Sequence, residues 1–230
     1  MLYLSYDSTM LILIPAIILS FYAQYKVQST FQRYLQLASR SGYTGAQVAR
    51  MILDGQGLTD VLIEQVGGRL TDHYDPRKRV LRLSREVYYG NSIASLGVAA
   101  HESGHAIQHA YGYAPLSIRN AIVPIVNFSS RAAFIFIFAG LFLAGSTILL
   151  DIGIYMFAAV VLFQLITLPV EFNASSRAIE LLAGGGYVSR DEERHVRKVL
   201  NAAALTYVAS AATAVAQLFR LLMIRDRRRN

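Results

Sequence analysis

The chain contains no cysteine and no tryptophan among its 230 residues. The absence of cysteine excludes disulfide bonds and thiolate metal sites, so any metal must be held by histidine, aspartate, glutamate or water. Charged residues are also scarce, at 16% of the chain against 54% hydrophobic residues, and the mean hydropathy is +0.37. So apolar a composition is unusual for a soluble domain of this length and predicts a membrane protein.

Acidic residues are fewer than basic ones, 15 against 22, which gives a formal charge of +7. In a membrane protein, a basic excess usually marks the segments that face anionic lipid on the cytoplasmic side. Residues 24–131 carry 12 of the 22 basic residues, which predicts that this stretch is cytoplasmic. Because no recognition motif accompanies the charge, we expect the lipid bilayer, and no nucleic acid, as the partner of the basic residues.

Three apolar runs are long enough to cross a bilayer: residues 9–25, 132–150 and 152–170. The second and third read as a tight hairpin, and we expect its turn, marked by Gly145, Ser146 and Asp151, to face outside. This arrangement predicts a multi-pass protein of the cell membrane.

A fourth apolar run, residues 200–224, is ambiguous. It is long enough to span, but crossing would place the basic residues that follow it on the outer side, against the usual charge bias. These are Arg225, Arg227, Arg228 and Arg229. The sequence leaves this run as either a fourth span or a packed helix.

The remaining stretches, 26–131 and 171–199, are predicted to form one small cytoplasmic α+β part of a single membrane-embedded unit. Turn chemistry at Asp75-Pro76-Arg77-Lys78 predicts a hairpin between two alternating segments. The predicted elements are a helix over 44–53 entered through Thr44, strands over 61–66, 70–74 and 80–83, a helix from Asn91 or Ser92 to about Tyr111, and a helix over 172–183 ended by three glycines. The predicted fold class is therefore a mainly α membrane protein with three to four transmembrane helices and a short sheet.

The segment His101-Glu102-Ser103-Gly104-His105 carries the chemistry. On a helix, residues four apart are separated by about 40° of rotation and about 6 Å of rise, so both imidazoles can face one ion. A carboxylate next to the first histidine completes the minimal equipment for zinc-assisted hydrolysis. The plainer interpretation, in which the histidines only pack or face solvent, requires this pattern to occur by chance on a predicted helix.

A catalytic zinc normally takes three protein ligands and leaves one position for water, so a further ligand is needed. His109 continues the series, but on an unbroken helix it lies about 12 Å of rise from His101. It is therefore better suited to a supporting role than to ligation. The spacing used by metzincins, with glycine and then histidine after the second ligand, is also absent, because Gln108 and Tyr111 stand there.

Glu171 is the preferred third ligand. It directly follows an apolar run and begins a predicted helix, and an ionisable residue at such a position invites a functional explanation. The alternative is that it only caps the span at the membrane interface. Asp72 and Glu86 remain as fallback ligands.

Several segments together resemble the YugP family of membrane zinc metallopeptidases, over nearly the whole chain. The segments are Asp72-His73-Tyr74-Asp75-Pro76, Leu83-Ser84, the nine residues from His101 to His109, and Glu171-Phe172-Asn173-Ala174-Ser175. The chain is more distantly similar to HtpX-type membrane proteases, whose third ligand is a glutamate on the helix after a transmembrane hairpin. That similarity implies Zn²⁺ held by His101, His105 and Glu171 in a zincin-like domain. Ser175 stands where the HtpX pattern has an aspartate, so a carboxylate supporting the ligands is absent or supplied elsewhere.

The expected function is a membrane-bound zinc endopeptidase that cleaves membrane or membrane-associated polypeptides at the cytoplasmic face. Glu102 is the expected general base for a metal-activated water. Supporting or oxyanion-stabilising roles are assigned to His109, Asn173 and Arg177. The strand over 80–83, if it lies at a sheet edge, could pair with the substrate backbone. The alternative function is a metal-binding, non-proteolytic adaptor or chaperone on a protease-like frame, and the two functions differ in whether Glu102 is needed.

Overall fold

The computed structural model of the chain describes residues 8–142 and 147–229, and most of them are helical. A short 3₁₀ helix, Ser8–Ile12, precedes the first α-helix. The helices are α1 (Leu13–Leu35), α2 (Gly45–Gly55), α3 (Arg85–Tyr88), α4 (Ile93–Ala110), α5 (Ala114–Phe142), α6 (Thr147–Gly184) and α7 (Arg190–Arg229). The strands are β1 (Leu62–Val66), β2 (His73–Asp75) and β3 (Val80–Ser84).

The chain divides into two compact units. The first is formed by the described residues of Met1–Tyr22, Ile118–Leu168 and Tyr207–Asn230, and the second by Ala23–Ser117 and Pro169–Thr206. The second unit contains the whole sheet and α2, α3 and α4. Helices α1, α5, α6 and α7 each have residues in both units, so four continuous helices join them covalently.

These four helices are long and apolar enough to cross a membrane, with mean hydropathies of 1.6, 1.8, 2.2 and 1.5 over their most apolar windows. Between 11% and 39% of the residues in those windows are buried. A surface that is both apolar and exposed suits contact with lipid tails. The ambiguous fourth run, 200–224, lies within the single 40-residue helix α7, so the described part of the chain offers four candidate spans.

The helical hairpin differs from its predicted bounds. The run over 132–150 is not one helix, because α5 ends at Phe142 and α6 begins at Thr147. The predicted turn residues Gly145 and Ser146 lie outside the described residues. Asp151 is helical instead of part of a turn, and its carboxylate lies 3.9 Å from the guanidinium of Arg225. The guanidinium of Arg225 thus gives this charged side chain a partner within the first unit, and the helix continues through it.

The end of α7 contacts the end of α5 within the first unit. Arg228 donates hydrogen bonds to the backbone carbonyl oxygens of Gly140, at 2.8 Å, and Leu141, at 2.9 Å. The last carbonyl groups of a helix have no partner inside the helix, and a basic side chain is a favourable one. Arg228, together with the contact between Arg225 and Asp151, holds the C-terminal end of α7 against the helical hairpin of α5 and α6.

The sheet has the order β1-β3-β2, with β1 parallel and β2 antiparallel to β3. The predicted β-hairpin is confirmed as the antiparallel pair of β2 and β3, although β2 is shorter than the predicted strand over 70–74. Asp75 ends β2, and its Oδ1 accepts from the backbone N–H groups of Arg77 and Lys78. The suggestion that residues 80–83 form an edge strand is wrong, because β3 is the central strand and is mostly buried.

Capping side chains determine where α2 and α4 begin. Thr44 and Gln47 form a reciprocal capping box at α2. Ser92 accepts from the N–H of Ser95 at the start of α4. Gly112, with φ of +62°, follows the end of α4 in a conformation that favours glycine and lets the chain turn into α5. Helix α4 is thus fixed at both ends, which fixes the histidines along it.

Candidate metal centre

Helices α4 and α6 pack closely and antiparallel in the second unit. Near the middle of α4, His101 is within hydrogen-bond distance of Ser175 on α6. Closer to the end of α4, Gln108 donates a hydrogen bond to the backbone carbonyl of Val170. Between these pairs, a Cβ atom added to Gly104 would come within 2.9 Å of the carbonyl oxygen of Ala174. Glycine therefore permits the approach of the two backbones, which brings side chains of α4 and α6 within contact distance.

Three potential metal ligands meet at this helix contact: His101, His105 and Glu171. The Oε2 atom of Glu171 lies 3.3 Å from Nε2 of His101 and 3.6 Å from Nε2 of His105. The exposed fractions of the three side chains are 12%, 13% and 4%. The two rings are nearly perpendicular, at 84°, with centroids 4.7 Å apart. In the described part of the chain these three residues form a group able to hold a metal ion.

The donor set fits zinc in type and in spacing. Two imidazole nitrogens and one carboxylate oxygen are common ligands of catalytic zinc, and they leave a fourth position for water. Tetrahedral zinc with bonds of about 2.0–2.1 Å separates neighbouring ligand atoms by about 3.4 Å. The observed separations between Glu171 and the two histidines, 3.3 and 3.6 Å, match that value closely. All three ligand atoms lie within 4.8 Å of one another.

The environment of His105 is electrically negative. Burial lowers the pKa of its imidazole, but the hydrogen bond to Glu171 and the charges of Glu102 and Glu171 outweigh burial and leave that pKa above its ordinary value. The same negative charges that stabilise an imidazolium would stabilise a divalent cation. The site thus favours positive charge at the point where the ligand atoms converge.

The outer ring nitrogens of both histidines have hydrogen-bond partners. Nδ1 of His101 lies 3.2 Å from the hydroxyl of Ser175, and Nδ1 of His105 lies 3.0 Å from Oε1 of Gln108. Such outer contacts orient metal-binding imidazoles and leave Nε2 for the ion. Ser175 therefore contacts His101 through a neutral hydroxyl.

Glu102 lies on the same helical turn as His101 and is 9% exposed. Its charge helps to raise the pKa of both His105 and Asp72, so its carboxylate lies near both groups. The pKa of Asp72 is raised chiefly by burial, against hydrogen bonds from Ser84 that lower it. Asp72 accepts from the backbone N–H of Ser84 at 2.7 Å and from its hydroxyl at 3.1 Å. This fallback ligand thus fastens the start of β2 to the end of β3 and is not in the metal-binding group.

The other predicted residues lie in three places. His109 is outside the group of ligands, and its Nδ1 lies 3.0 Å from the hydroxyl of Tyr74 on β2. Asn173 and Arg177 are joined by a hydrogen bond of 2.9 Å from Nε to Oδ1, behind His105. Glu86, the second fallback ligand, pairs with Arg69 at 3.1 Å.

Gln108 is the residue that sequence reasoning missed. It is fully buried, and its amide contacts His105, Val170 and Asn173. Two of these partners are more than 60 positions away along the chain, so no local pattern reveals them. The one local signal is the spacing of Gln108, three residues after His105 and thus on a neighbouring face of the same helix.

Comparisons with known proteins agree with this chemistry. Residues 9–226 match the family described as "Putative neutral zinc metallopeptidase". The chain is 54% identical over 211 residues to the "Putative membrane protease YugP" of Bacillus subtilis (strain 168), covering 92% of this chain and 93% of that protein. No solved structure matches the chain.

The geometry predicts which residues are required for metal binding. Replacing Glu171 by alanine removes the one oxygen donor, so we expect the purified protein to lose zinc, with affinity at least about 100-fold weaker. His109→Ala is the matched control, because it removes an imidazole from the same helix and should leave the zinc content unchanged. Metal analysis of both variants by mass spectrometry provides the measurement. Full zinc in Glu171→Ala together with loss in His109→Ala would contradict the ligand assignment.

Proposed function

This chain belongs to the family of neutral zinc metallopeptidases that its sequence matches, and from that membership we propose that it is a membrane-bound, zinc-dependent endopeptidase acting at the cytoplasmic face of the membrane. The observation that carries the proposal is the convergence of His101, His105 and Glu171 beside Glu102. We propose these three residues as the zinc ligands and membrane or membrane-associated polypeptides as the substrates.

Zinc in such a site would lower the pKa of a water molecule towards neutrality and polarise the substrate carbonyl. Glu102 is the base that accepts the proton of the attacking water, because it is the carboxylate next to the first histidine and lies near His105. The same carboxyl group then delivers that proton to the departing amine. Its small exposed fraction, 9%, limits competition from bulk water for the proton.

The substrate backbone would lie along β2. Strand β3 has neighbours on both sides, whereas β2 is an outer strand of the sheet. An outer strand can hydrogen-bond an extended peptide, so the role first considered for residues 80–83 passes to residues 73–75. Strand β2 also contacts the helix of the ligands, through the Tyr74–His109 hydrogen bond.

Tyr74 and His109 are the proposed donors to the oxyanion that forms during attack. His109 lies one helical turn beyond His105 on a similar face of α4. Burial raises the pKa of Tyr74, which keeps its phenol protonated and able to donate. Arg177, the donor considered from sequence, donates through Nε to Asn173 instead. Hydrogen-bond donors aimed at developing negative charge are among the strongest contributors to catalysis.

The cytoplasmic placement of the site rests on charge and on the number of crossings. If α1, α5, α6 and α7 all cross, the segments 36–113 and 185–189 share one side, opposite to the start of α1 and the end of α7. The long segment 36–113 carries eight basic residues, Arg40, Arg50, Arg69, Arg77, Lys78, Arg79, Arg82 and Arg85. The arginines at the end of α7 oppose this bias, but Arg225 pairs with Asp151 and Asp226, and Arg228 binds carbonyl groups of α5. Arg225 and Arg228 thus have structural contacts, and the four arginines are outnumbered by the eight basic residues of the segment 36–113.

The proposed general base is tested by Glu102→Gln, which keeps the size of the side chain and removes its basicity. We expect an unchanged zinc content and hydrolysis of a quenched-fluorescent peptide library slowed by about 10²–10⁴-fold. Glu180→Gln, an exposed position on α6, is the control and should behave like the parent. Cleavage at the parent rate by Glu102→Gln would refute the mechanism, and unchanged cellular activity of a non-cleaving variant would favour the adaptor function.

Tyr74→Phe tests the oxyanion assignment by removing one hydroxyl. We expect kcat to fall by about 10²–10³-fold with little change in KM, because the lost hydrogen bond forms mainly in the transition state. Zinc content should not change. Tyr89→Phe, at an exposed tyrosine of the same unit, serves as the control. A kcat within about twofold of the parent would remove Tyr74 from the mechanism.

Orientation can be measured with single cysteines, since the chain has none of its own. We expect a cysteine appended after Asn230 to react with a membrane-impermeant maleimide in intact cells. Lys78→Cys, in the exposed turn between β2 and β3, should react only after permeabilisation. Labelling of Lys78→Cys in intact cells would place the site outside the cell. Protection of both cysteines would show that α7 does not cross.

A further inference from the structure

A hydrogen-bonded series of four residues leads to one of the proposed ligands: Arg177, Asn173, Gln108 and His105. Nε of Arg177 lies 2.9 Å from Oδ1 of Asn173, and Nε2 of Gln108 lies 2.9 Å from the same oxygen. Nε2 of Gln108 also lies 2.9 Å from the carbonyl oxygen of Val170. The remaining amide atom of Gln108, Oε1, lies 3.0 Å from Nδ1 of His105.

Each step in this series permits one direction of hydrogen bonding. A guanidinium can only donate, so the atom of Asn173 that faces Arg177 must be its oxygen. An oxygen that accepts from Arg177 cannot donate to Gln108, so the atom of Gln108 that faces it must be the NH₂ group. The carbonyl of Val170 makes the same demand independently, because a flipped amide would place oxygen against oxygen.

The orientation of Gln108 then determines the tautomer of His105. With its NH₂ group directed at Val170 and Asn173, Gln108 presents an oxygen to Nδ1, and that nitrogen must carry the proton. In the neutral ring the lone pair is therefore on Nε2, the atom that faces Glu171 at 3.6 Å. The neutral imidazole is thus held as the tautomer that can bind a metal through Nε2.

His101 is held differently. Its Nδ1 lies 3.2 Å from the hydroxyl of Ser175, and a hydroxyl can either donate or accept. This contact orients the ring of His101 without requiring one tautomer. The two histidines are thus unequal, because Gln108 imposes a tautomer on His105 and Ser175 leaves that of His101 adjustable.

We propose that Gln108 is a positioning residue that fixes the metal-binding tautomer of His105, with its own orientation set by Arg177 through Asn173. The inference rests on the proposed function only in that the ion is zinc, and it assigns all three residues a role in metal affinity. It follows that the binding of the metal by His101 can be strengthened. The substitution Ser175→Asp would place an acceptor that cannot donate beside Nδ1, so that Nδ1 carries the proton and Nε2 is left for the metal.

The test measures zinc affinity of the full-length chain in detergent, by competition with a chromophoric chelator, and the absorption spectrum of the Co²⁺-substituted protein. Gln108→Met keeps a similar volume and removes every hydrogen bond of the amide, so we expect zinc binding about 10–100-fold weaker and an altered Co²⁺ spectrum. Ser175→Asp should bind zinc more tightly than the parent, by about tenfold.

Three further variants distinguish loss of this hydrogen-bonded series from general damage to the fold. Asn173→Asp retains an oxygen that accepts from Arg177 and Gln108, so it should stay within about threefold of the parent, whereas Asn173→Leu should weaken binding. Ser103→Ala removes another buried hydrogen bond of α4, that to Ala99, and should bind zinc like the parent. If Gln108→Met does not fold, the two Asn173 variants and Ser175→Asp decide the question.

The proposal is overturned if Gln108→Met has the affinity and Co²⁺ spectrum of the parent, or if Ser103→Ala loses as much affinity as Gln108→Met. Equal loss in Asn173→Asp and Asn173→Leu would also overturn it. A parent that binds zinc but hydrolyses no peptide would refute the proposed endopeptidase and leave these affinity comparisons valid. A parent that binds neither zinc nor Co²⁺ would refute both.

Discussion

A nearly buried carboxylate between two imidazoles is the interaction on which the second unit depends. The side chain of Glu171 is 4% exposed, and an ionised group taken out of water at that level must be compensated by nearby positive charge or a metal. His101 and His105 lie on α4, so α4 and α6 must approach closely enough for their side chains to meet. Gly104 opposite Ala174 permits that approach. The capped ends of α4 and the apolar core against which it packs keep the two histidines next to Glu171.

Helix α6 combines two different surfaces in one continuous element. Its first part is apolar and exposed enough to face lipid, and its last part bears the carboxylate and the residues around it. Positions 171, 174, 175 and 178 are all buried and recur at the three- and four-residue spacing of a helix face. The candidate ligand on α6 is therefore placed by a helix and not by a loop.

Sequence reasoning identified the three residues that the structure brings together, but not the residues that support them. His101 and His105 are visible because four-residue spacing on a helix is a local property, and Glu171 because a charge beside an apolar run is conspicuous. Gln108 gives no comparable signal, because its partners at 170 and 173 are set by packing between distant segments. The order of the three strands was missed for the same reason. A hairpin follows from its turn residues, but the parallel pairing of β1 on the other side of β3 depends on the path of the chain between them.

The helical hairpin shows how a local charge can mislead. Residues 132–170 are almost uniformly apolar, so composition does not determine where one helix ends and the next begins, and Asp151 was the natural place for a turn. In the structure it is inside α6, where its carboxylate lies 3.9 Å from the guanidinium of Arg225. Its partner lies at the far end of the sequence, on the one apolar run whose crossing was in doubt. Two of the arginines that made a fourth span doubtful have structural contacts. Arg225 pairs with Asp151, and Arg228 donates hydrogen bonds to the last carbonyl groups of α5, so both hold α7 against the helical hairpin. A basic cluster at the end of a helix can therefore have a structural role that a count of basic residues for topology does not reveal.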